Sequence, residues 1–419
     1  MIGAPLESGR GSAALDLLIV LPSTSFGGAE KHTQDLCEAF AAAGMRVSLL
    51  STAECLDHPA WRDAAQGTMS GKIGAKIGAP IEWRDTDTFE ANVARQKTCI
   101  EQVLRARRAD CAIVCAPWPH YALGLQEALA EHGVPHLTVA HLFPRPGTQA
   151  WSELPVMLGF GGGAQESHSA WVGVSWPVAR RIEHMFQLPP HSATHIANGV
   201  DVVPLAPDER RRRQADARAR LGLEPDRNIV LVLGRLDAAK GADLLPDLAE
   251  GLADLDALVV VAGAGALRAA LETSPAAQAG VLRLVGHANN VSDWLFAADA
   301  LLMPSRLEGH PLVFLEAAAR RCPVVATDAA LECYGQAKHQ LALVAPTDDV
   351  AALTAQTRLA LTDRNAGAAR VDHAFATVRR DDKAAMISAY KSLLRRLIAR
   401  ELLRARNPAA PASEARHGG

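Results

Sequence analysis

Short apolar runs recur along this chain, each followed by a turn and a stretch with helical spacing, and the pattern plays out twice. Residues 17–21 form the first run; Phe26, Gly27 and Gly28 then open a helix through Ala43, closed by Gly44, before the next run at 46–50. That is a β-loop-α-β unit, and helical crossovers of this kind bring strands into parallel pairing. Further strands are expected at 112–116, 136–141 and 171–175. The grammar restarts with a strand at 229–233, a turn at Gly234 and a helix beginning near Gly241, followed by strands at 258–262, 282–285, 300–303 and 324–326. Two separate doubly wound α/β units are the simplest reading, with the seam at 198–207, where Gly and Pro cluster. A chain of 419 residues is also too long for one compact core.

These signals divide the chain into a loose Gly-, Ser- and Ala-rich tail over 1–14, a first α/β domain over 15–200, a second over 201–380, a terminal helix over 381–406 and a fraying tail over 407–419. An apolar content of 49% is ample for two cores, and a formal charge of −3 is not that of a general nucleic-acid binder. The seven cysteines form no Cys-x-x-Cys pair and sit mostly in apolar runs, so reduced, buried thiols of a cytoplasmic protein are expected. The run at 17–21 is too short for a secretory signal, and nothing approaches the ~18 apolar residues of a membrane span.

Two segments fit the grammar poorly. The stretch 67–80 contains a tandem at 71–78 with no clear period, and 144–163 carries several prolines and a glycine run at 159–163. Both read as mobile loops, a common place for acceptor recognition. In the terminal helix Leu393, Leu394, Leu397, Ile398 and Leu402 repeat at helical spacing beside Lys391, Arg395, Arg396, Arg400, Arg404 and Arg406. Such a helix either packs by its apolar side or lies on an anionic membrane, which would make the protein peripheral to the inner face of that membrane.

The residues richest in chemistry follow the strand at 300–303: Pro304-Ser305-Arg306-Leu307-Glu308-Gly309-His310-Pro311-Leu312-Val313-Phe314-Leu315-Glu316. This places them at a strand's carboxyl end, where open α/β sheets bind ligands. Pro311 suits a first helical turn, so a helix should run from there to about Arg320. Its free amides at Leu312 and Val313, with the helix dipole, would form an anion site. Glu308 and Glu316 would lie on nearly the same helical side, two turns apart. A second element, Gly234-Arg235-Leu236-Asp237-Ala238-Ala239-Lys240-Gly241, follows the strand at 229–233 and sets a guanidinium and an ammonium at a strand-to-helix turn, as a diphosphate requires.

Glu308 and Glu316, with Pro304-Ser305 before them and Pro323-Val324-Val325-Ala326-Thr327 after, resemble the Glu-x7-Glu signature of retaining GT-B glycosyltransferases, particularly family four. The segment from Gly234 to Gly241 is similar to the family's Gly-Arg-Leu…Lys-Gly motif, whose two cations neutralise the departing nucleoside diphosphate. Gly27-Gly28-Ala29-Glu30 resembles its N-terminal glycine loop, and Asn198-Gly199-Val200-Asp201 its interdomain Asn-Gly-Val-Asp. Gly263 and Gly265 follow the strand at 258–262 and permit close backbone approach to a nucleotide, while Arg268 stands where a dinucleotide fingerprint wants its third glycine. His141 ends the strand at 136–141 as the family's active-site histidine does; a satisfied core histidine is the competing reading.

The resemblance covers about residues 15–360. It implies a GT-B fold, with two Rossmann-like domains facing an interdomain cleft, and a nucleotide-sugar donor held without any metal or other cofactor. Arg235, Lys240 and the helix amides near Leu312 would stabilise the leaving group, Glu316 would grip the ribose, and Glu308 would lie nearer the sugar and phosphate. His310, inside the motif, is expected among the substrate-binding residues, and His141 would touch the sugar from the opposite domain, so the cleft would close to complete the site. The acceptor would be a glycan or a lipid-linked acceptor of cell-surface polysaccharide biosynthesis, with retention at the anomeric carbon. Arg320-Arg321-Cys322 and Asp328-Ala329-Ala330 stand where the family usually carries glycine, which bears on the backbone around the sugar pocket.

Other motifs fail on context. Asp85-Thr86-Asp87 follows Glu82-Trp83-Arg84 and not the apolar strand of a metal-dependent Asp-x-Asp. The stretch 67–72 is one residue short of a phosphate loop, and His132, His136 and His141 lack a zinc-protease arrangement. The arginines at 210–213, 218 and 220 read as a solvated helix face, with anionic membrane contact as the second reading. Two alternatives to glycosyl transfer onto a glycan remain. One is another GT-B activity, such as epimerisation or transfer to a small metabolite; the other is a nucleotide-sugar binding subunit without turnover. Donor alone separates the first, because an epimerase needs no acceptor.

Overall fold

The computed structural model describes residues 14–61, 73–148, 151–152, 169–288 and 290–406. The chain forms two compact units. The first runs to Ile196 and takes up the chain again from Ile387; the second is Ala197–Met386. Four segments singled out above lie wholly or partly outside the described residues: the two tails, the start of the 67–80 stretch and most of the 144–163 stretch, including its glycine run.

In the first unit the described strands are β1 (Asp16–Leu21), β2 (Arg46–Ser51), β3 (Ile73–Gly78), β4 (Cys111–Ala116), β5 (His136–Ala140), β6 (Ser169–Gly173) and β7 (Thr194–His195). They pair in parallel in the order β3-β2-β1-β4-β5-β6-β7. Helices α1 (Gly28–Ala42), α2 (Phe89–Ala106), α3 (Leu123–Glu131) and α4 (Trp176–Met185) connect them. The central strands are mostly apolar because a parallel sheet is covered on both faces, and all six residues of β4 are buried.

Two expectations need correction here. The tandem is not a loop: Ile73–Gly78 is an edge strand whose Ile73, Ala75 and Ile77 are half-buried and whose Gly74, Lys76 and Gly78 are exposed. Its period is two, the signature of a strand lying against the core by one face. The strand expected at 171–175 ends earlier, at Gly173, because Ser175 caps α4 by accepting from the Val178 amide at 3.4 Å.

The second unit repeats the plan with β8 (Asn228–Leu233), β9 (Ala257–Ala262), β10 (Leu282–Gly286), β11 (Ala300–Met303), β12 (Val324–Thr327) and β13 (Leu343–Ala345), ordered β10-β9-β8-β11-β12-β13. Its main helices are α5 (Pro207–Leu221), α6 (Leu245–Glu250), α7 (Val291–Ala297), α8 (Leu312–Ala319), α9 (Val350–Thr362) and α10 (Arg364–Arg380). Each sheet changes strand order beside its first strand, between β1 and β4 and between β8 and β11, the positions where such sheets open a ligand crevice. The helix expected near Gly241 begins later, at Leu245. Gly241 takes a φ of +68°, which splits the preceding segment into two tight 3₁₀ turns.

The arginine-rich helix is not simply a solvated face. Arg218 is buried; its Nη2 meets Asp299 at 2.6 Å and its Nε donates to the Ala297 carbonyl at 3.0 Å. Arg210 donates to the Ala298 carbonyl at 2.8 Å. Together they pin α5 to the α7–β11 turn, and Asp299 in turn accepts from the Ile229 amide at 2.8 Å. The terminal helix α11 (Lys383–Arg406) buries Tyr390, Leu393, Leu394 and Leu397, whereas Leu402 and Leu403 near its end are exposed. Among the described residues no helix is long and apolar enough to cross a membrane.

Candidate active site

Three strand-end loops of the second unit are pressed together. A Cβ at Gly263 would lie 1.8 Å from the Gly234 carbonyl oxygen, and one at Gly265 would lie 2.5 Å from that of Leu236. Only glycine lets the loop after β9 approach the loop after β8 this closely. Backbone hydrogen bonds lock the contact: Gly234 donates to Ala262 at 3.1 Å, Leu236 to Ala264 at 2.9 Å and Leu267 to Leu236 at 2.9 Å. On the other side a Cβ at Gly241 would sit 2.1 Å from the carbonyl oxygen of Pro304, so the loop after β8 also abuts the loop after β11.

Charged side chains then converge. Asp237 accepts from the Lys240 amide at 2.9 Å and fixes the turn that presents Lys240. The Lys240 ammonium donates to Glu308 Oε1 at 2.6 Å, and the Ser305 hydroxyl donates to the same oxygen at 2.9 Å. Ser305 is held in turn by Thr327, whose hydroxyl donates to the Ser305 carbonyl at 2.5 Å. Arg306 staples the loop from outside through Asp243 at 2.7 Å and Asp348 at 2.6 Å, and its amide donates to Ala239 at 2.8 Å. Those two carboxylates raise the Arg306 pKa, Asp243 contributing most, while Arg306 holds Asp243 below its ordinary range. Arg235 is engaged only lightly: its Nε lies 3.1 Å from Asp237 and the side chain is 46% exposed, so its fork can still turn to an incoming anion.

Helix α8 begins at Leu312 with Pro311 as its N-cap. The amides of Leu312 and Val313 belong to the first turn and have no intrahelical acceptor. Glu308 lies in the loop four residues before this helix, so the two glutamates do not share a helical face as the spacing suggested; Glu316 alone is on α8. Pro311 is the physical reason, since its ring blocks helix on its N-terminal side. His310 is buried, its Nε2 lies 3.2 Å from the Tyr334 hydroxyl, and its carbonyl accepts from Asn198 Nδ2 at 2.7 Å. Asn198-Gly199-Val200-Asp201 is thereby tied to the motif, and Gly199 has no room for a side chain, since a Cβ would meet the Asp382 carbonyl at 2.4 Å.

The departures from glycine are accommodated. Arg321 takes a φ of +52° and completes a Schellman-type helix end: its amide donates to Ala318 at 3.0 Å and that of Cys322 to Ala317 at 2.9 Å. The arginine offsets its strained conformation by donating to the Leu205 carbonyl at 2.6 Å, pairing with Asp372 and stacking 4.1 Å over the Phe375 ring. Asp328 accepts from the Thr347 amide at 3.0 Å and anchors the loop after β12.

In the first unit Gly27 and Gly28 open α1, and the Gly27 amide donates to Glu30 Oε2 at 2.7 Å, half of a capping box. His141 follows β5 directly, its amide bound to the Ala116 carbonyl at 3.1 Å and its ring buried. That ring stands 4.7 Å from the ring of His32, which stands 5.3 Å from that of Tyr390. Burial lowers the His32 pKa to about 3 and that of His141 well below its ordinary value, so both imidazoles are neutral near pH 7. The sequence reading missed His32, Cys115 and Tyr390 around His141. No spacing could have revealed them, because α1, β4, β5 and α11 meet only in the fold.

Matches to known proteins fall in both halves of the chain. Residues 26–203 match the family described as "Glycosyltransferase Family 4" and residues 227–363 the one described as "Glycosyl transferases group 1". The D-inositol 3-phosphate glycosyltransferase of Jonesia denitrificans is 29% identical over 332 residues, 72% of this chain and 75% of that protein. The lipopolysaccharide core biosynthesis mannosyltransferase LpsB of Rhizobium meliloti is 29% identical over 262 residues, 56% of this chain and 72% of that protein. Among solved structures, Anabaena Alr3699/HepE in complex with UDP and glucose superposes with a TM-score of 0.71 at 16% identity, covering 91% of this chain and 99% of that one. WaaG, described as a glycosyltransferase of lipopolysaccharide biosynthesis, gives 0.67 at 17% identity, covering 91% of this chain and 99% of the other. The fold is thus GT-B, and the chain belongs to the family-four, group 1 glycosyltransferases.

Proposed function

We propose that the protein transfers a sugar from a nucleoside diphosphate donor to a glycan or lipid-linked acceptor, with retention, in the assembly of a cell-surface polysaccharide. The observation that carries this reading is the joint placement of Lys240, Ser305 and Glu308 at the abutting ends of β8 and β11, one short loop ahead of the free amides of α8. A relative named for lipopolysaccharide core biosynthesis supports the acceptor class, one named as a D-inositol 3-phosphate glycosyltransferase fits the alternative of transfer to a small metabolite, and a neighbour solved with UDP and glucose supports the donor class.

In the reaction the bond from the anomeric carbon to the β-phosphate oxygen breaks and charge gathers on the leaving diphosphate. Lys240, Arg235 and the Leu312 and Val313 amides stabilise that charge, a preorganised electrostatic effect worth ~2–4 kcal/mol per strong contact. Two cations, Lys240 held by Glu308 and Arg235 free to turn, serve the departing group, so the transfer step requires no metal. Glu316 holds the ribose hydroxyls. The acceptor oxygen bonds the anomeric carbon on the face the diphosphate leaves, and its proton passes to the departing phosphate oxygen.

A panel of nucleotide sugars, screened first for thermal stabilisation and then for transfer to glycan and lipid-linked acceptors, tests the reading. One donor should raise the melting temperature and give an acceptor-dependent product with the donor's anomeric configuration by NMR. An inverted product removes the retaining mechanism. A changed sugar with donor alone points to epimerisation, and binding without transfer or slow hydrolysis points to a non-catalytic subunit.

A further inference from the structure

Helix α11 carries apolar residues on two opposite sides, and only one side is packed. Tyr390, Leu393, Leu394 and Leu397 are buried in the first unit. At about 100° per residue, Leu402 and Leu403 fall on the other side, in a stripe with Arg395, Arg396, Ala399 and Arg406, all of them exposed. The two leucines are 54% and 66% exposed, and they are the only adjoining pair among the large apolar side chains exposed in the described residues. Packing of α11 on its own unit does not account for them, because the buried side lies opposite.

The same stretch concentrates positive charge. Residues 395–406 hold five arginines and one glutamate, in a chain whose formal total is −3. That one acid is withdrawn from the surface: the Glu401 side chain is 10% exposed, with Arg400 at 3.3 Å and Arg404 at 3.2 Å. Arg400 also donates to the Ser169 carbonyl at 3.4 Å, which sets this end of α11 beside the start of β6. The outward stripe therefore offers leucine and arginine and no carboxylate.

We propose that residues 395–406 dock the protein on an anionic lipid bilayer. Leu402 and Leu403 enter the acyl boundary, while the arginine stems lie along it and their guanidinium groups meet lipid phosphates. The charge favours this occupant over others. A symmetric pairing of two copies through this stripe would set arginines against arginines. A nucleic acid would take the arginines and leave the leucines in water. The two readings of the helix thus divide along its length: the first half packs on the protein and the second lies on lipid. Docking rests on α11 alone and not on the transfer reaction.

The full chain, without donor or acceptor, is sedimented with vesicles of phosphatidylcholine containing about one-third phosphatidylglycerol, and with vesicles of phosphatidylcholine alone. Its partition onto the first should exceed that onto the second by more than about tenfold, and should weaken as salt rises towards about 0.5 M. Leu402→Ser with Leu403→Ser, and Arg395→Gln with Arg396→Gln, should each lower the partition by more than about fivefold. All four side chains are exposed, so both variants should keep the melting temperature of the unaltered chain. Arg211→Gln with Arg212→Gln, exposed on α5, should bind as the unaltered chain does. No binding to the anionic vesicles, or unchanged binding by the leucine variant, overturns the proposal. So does a dimer in solution that the leucine variant loses, since the stripe would then belong to a second copy.

Discussion

The ammonium of Lys240 lies 2.6 Å from a carboxylate oxygen of Glu308, although 68 residues separate them. The pair joins the loop after β8 to the loop after β11, and Ser305 adds a hydroxyl to the same oxygen. Glu308 thus holds Lys240 in place while no donor is bound, and an entering diphosphate would share a cation already aimed at the sheet's carboxyl edge.

Lys240→Ala and Glu316→Ala should each lower transfer by more than about tenfold, on the ~2–4 kcal/mol scale of a lost charge-stabilising contact. Steady-state rates with the donor identified by the thermal screen check this. Near-unaltered turnover in both would remove these residues from the site.

Gly263→Ala and Gly241→Ala should fail for a steric reason. The new methyl would meet a backbone carbonyl oxygen at 1.8 Å in one case and 2.1 Å in the other, and neither partner is a side chain that can turn aside. Each should destabilise the second unit by several kcal/mol, beyond the ~1 kcal/mol of an ordinary glycine replacement, as read from denaturant midpoints. A control at Gly133, where a Cβ meets nothing within 4 Å, should show only the smaller cost of its φ of +63°.

Arg321→Gly and Arg321→Ala separate backbone strain from side-chain contacts. Glycine removes the side chain but relaxes the φ of +52°, whereas alanine loses the contacts and keeps the strain. Alanine should therefore be the less stable of the two by about 1 kcal/mol, measured by urea unfolding. Equal stability would mean that the left-handed conformation costs nothing here.

Acid should weaken the first unit through His120. Burial lowers its pKa from 6.5 to about 4, so the folded ring stays neutral while the unfolded one takes up a proton below 6.5. Its contribution is complete above pH 6.5 and is lost as the pH falls towards about 4, with a slope approaching ~1.4 kcal/mol per pH unit. His120→Phe should flatten this slope in unfolding measured between pH 4.5 and 7; an unchanged slope would place the proton uptake elsewhere.

Much of the molecule could be read along the chain because its signals are local. Apolar runs marked the strands at 17–21, 229–233 and 258–262, since a parallel strand covered on both faces has no polar side to show. Proline and glycine marked where α8 starts and α1 ends. The loops carrying Arg235, Lys240 and Glu308 were visible because strand-end chemistry is written in contiguous residues. Local rules failed where two periods compete, as in β3, whose alternation is blurred by glycine, and where Pro311 keeps Glu308 off the helix.

What depended on the fold is of another kind. That Gly241 must face Pro304, that Arg218 is buried against Asp299 and that His32, Cys115 and His141 are buried side by side each require elements distant in sequence to meet. Composition and spacing record which side chains a segment carries and how its backbone turns. Only the packing of whole strands and helices decides which of those side chains lose water together, and burial is what gives a charge or an imidazole its chemistry.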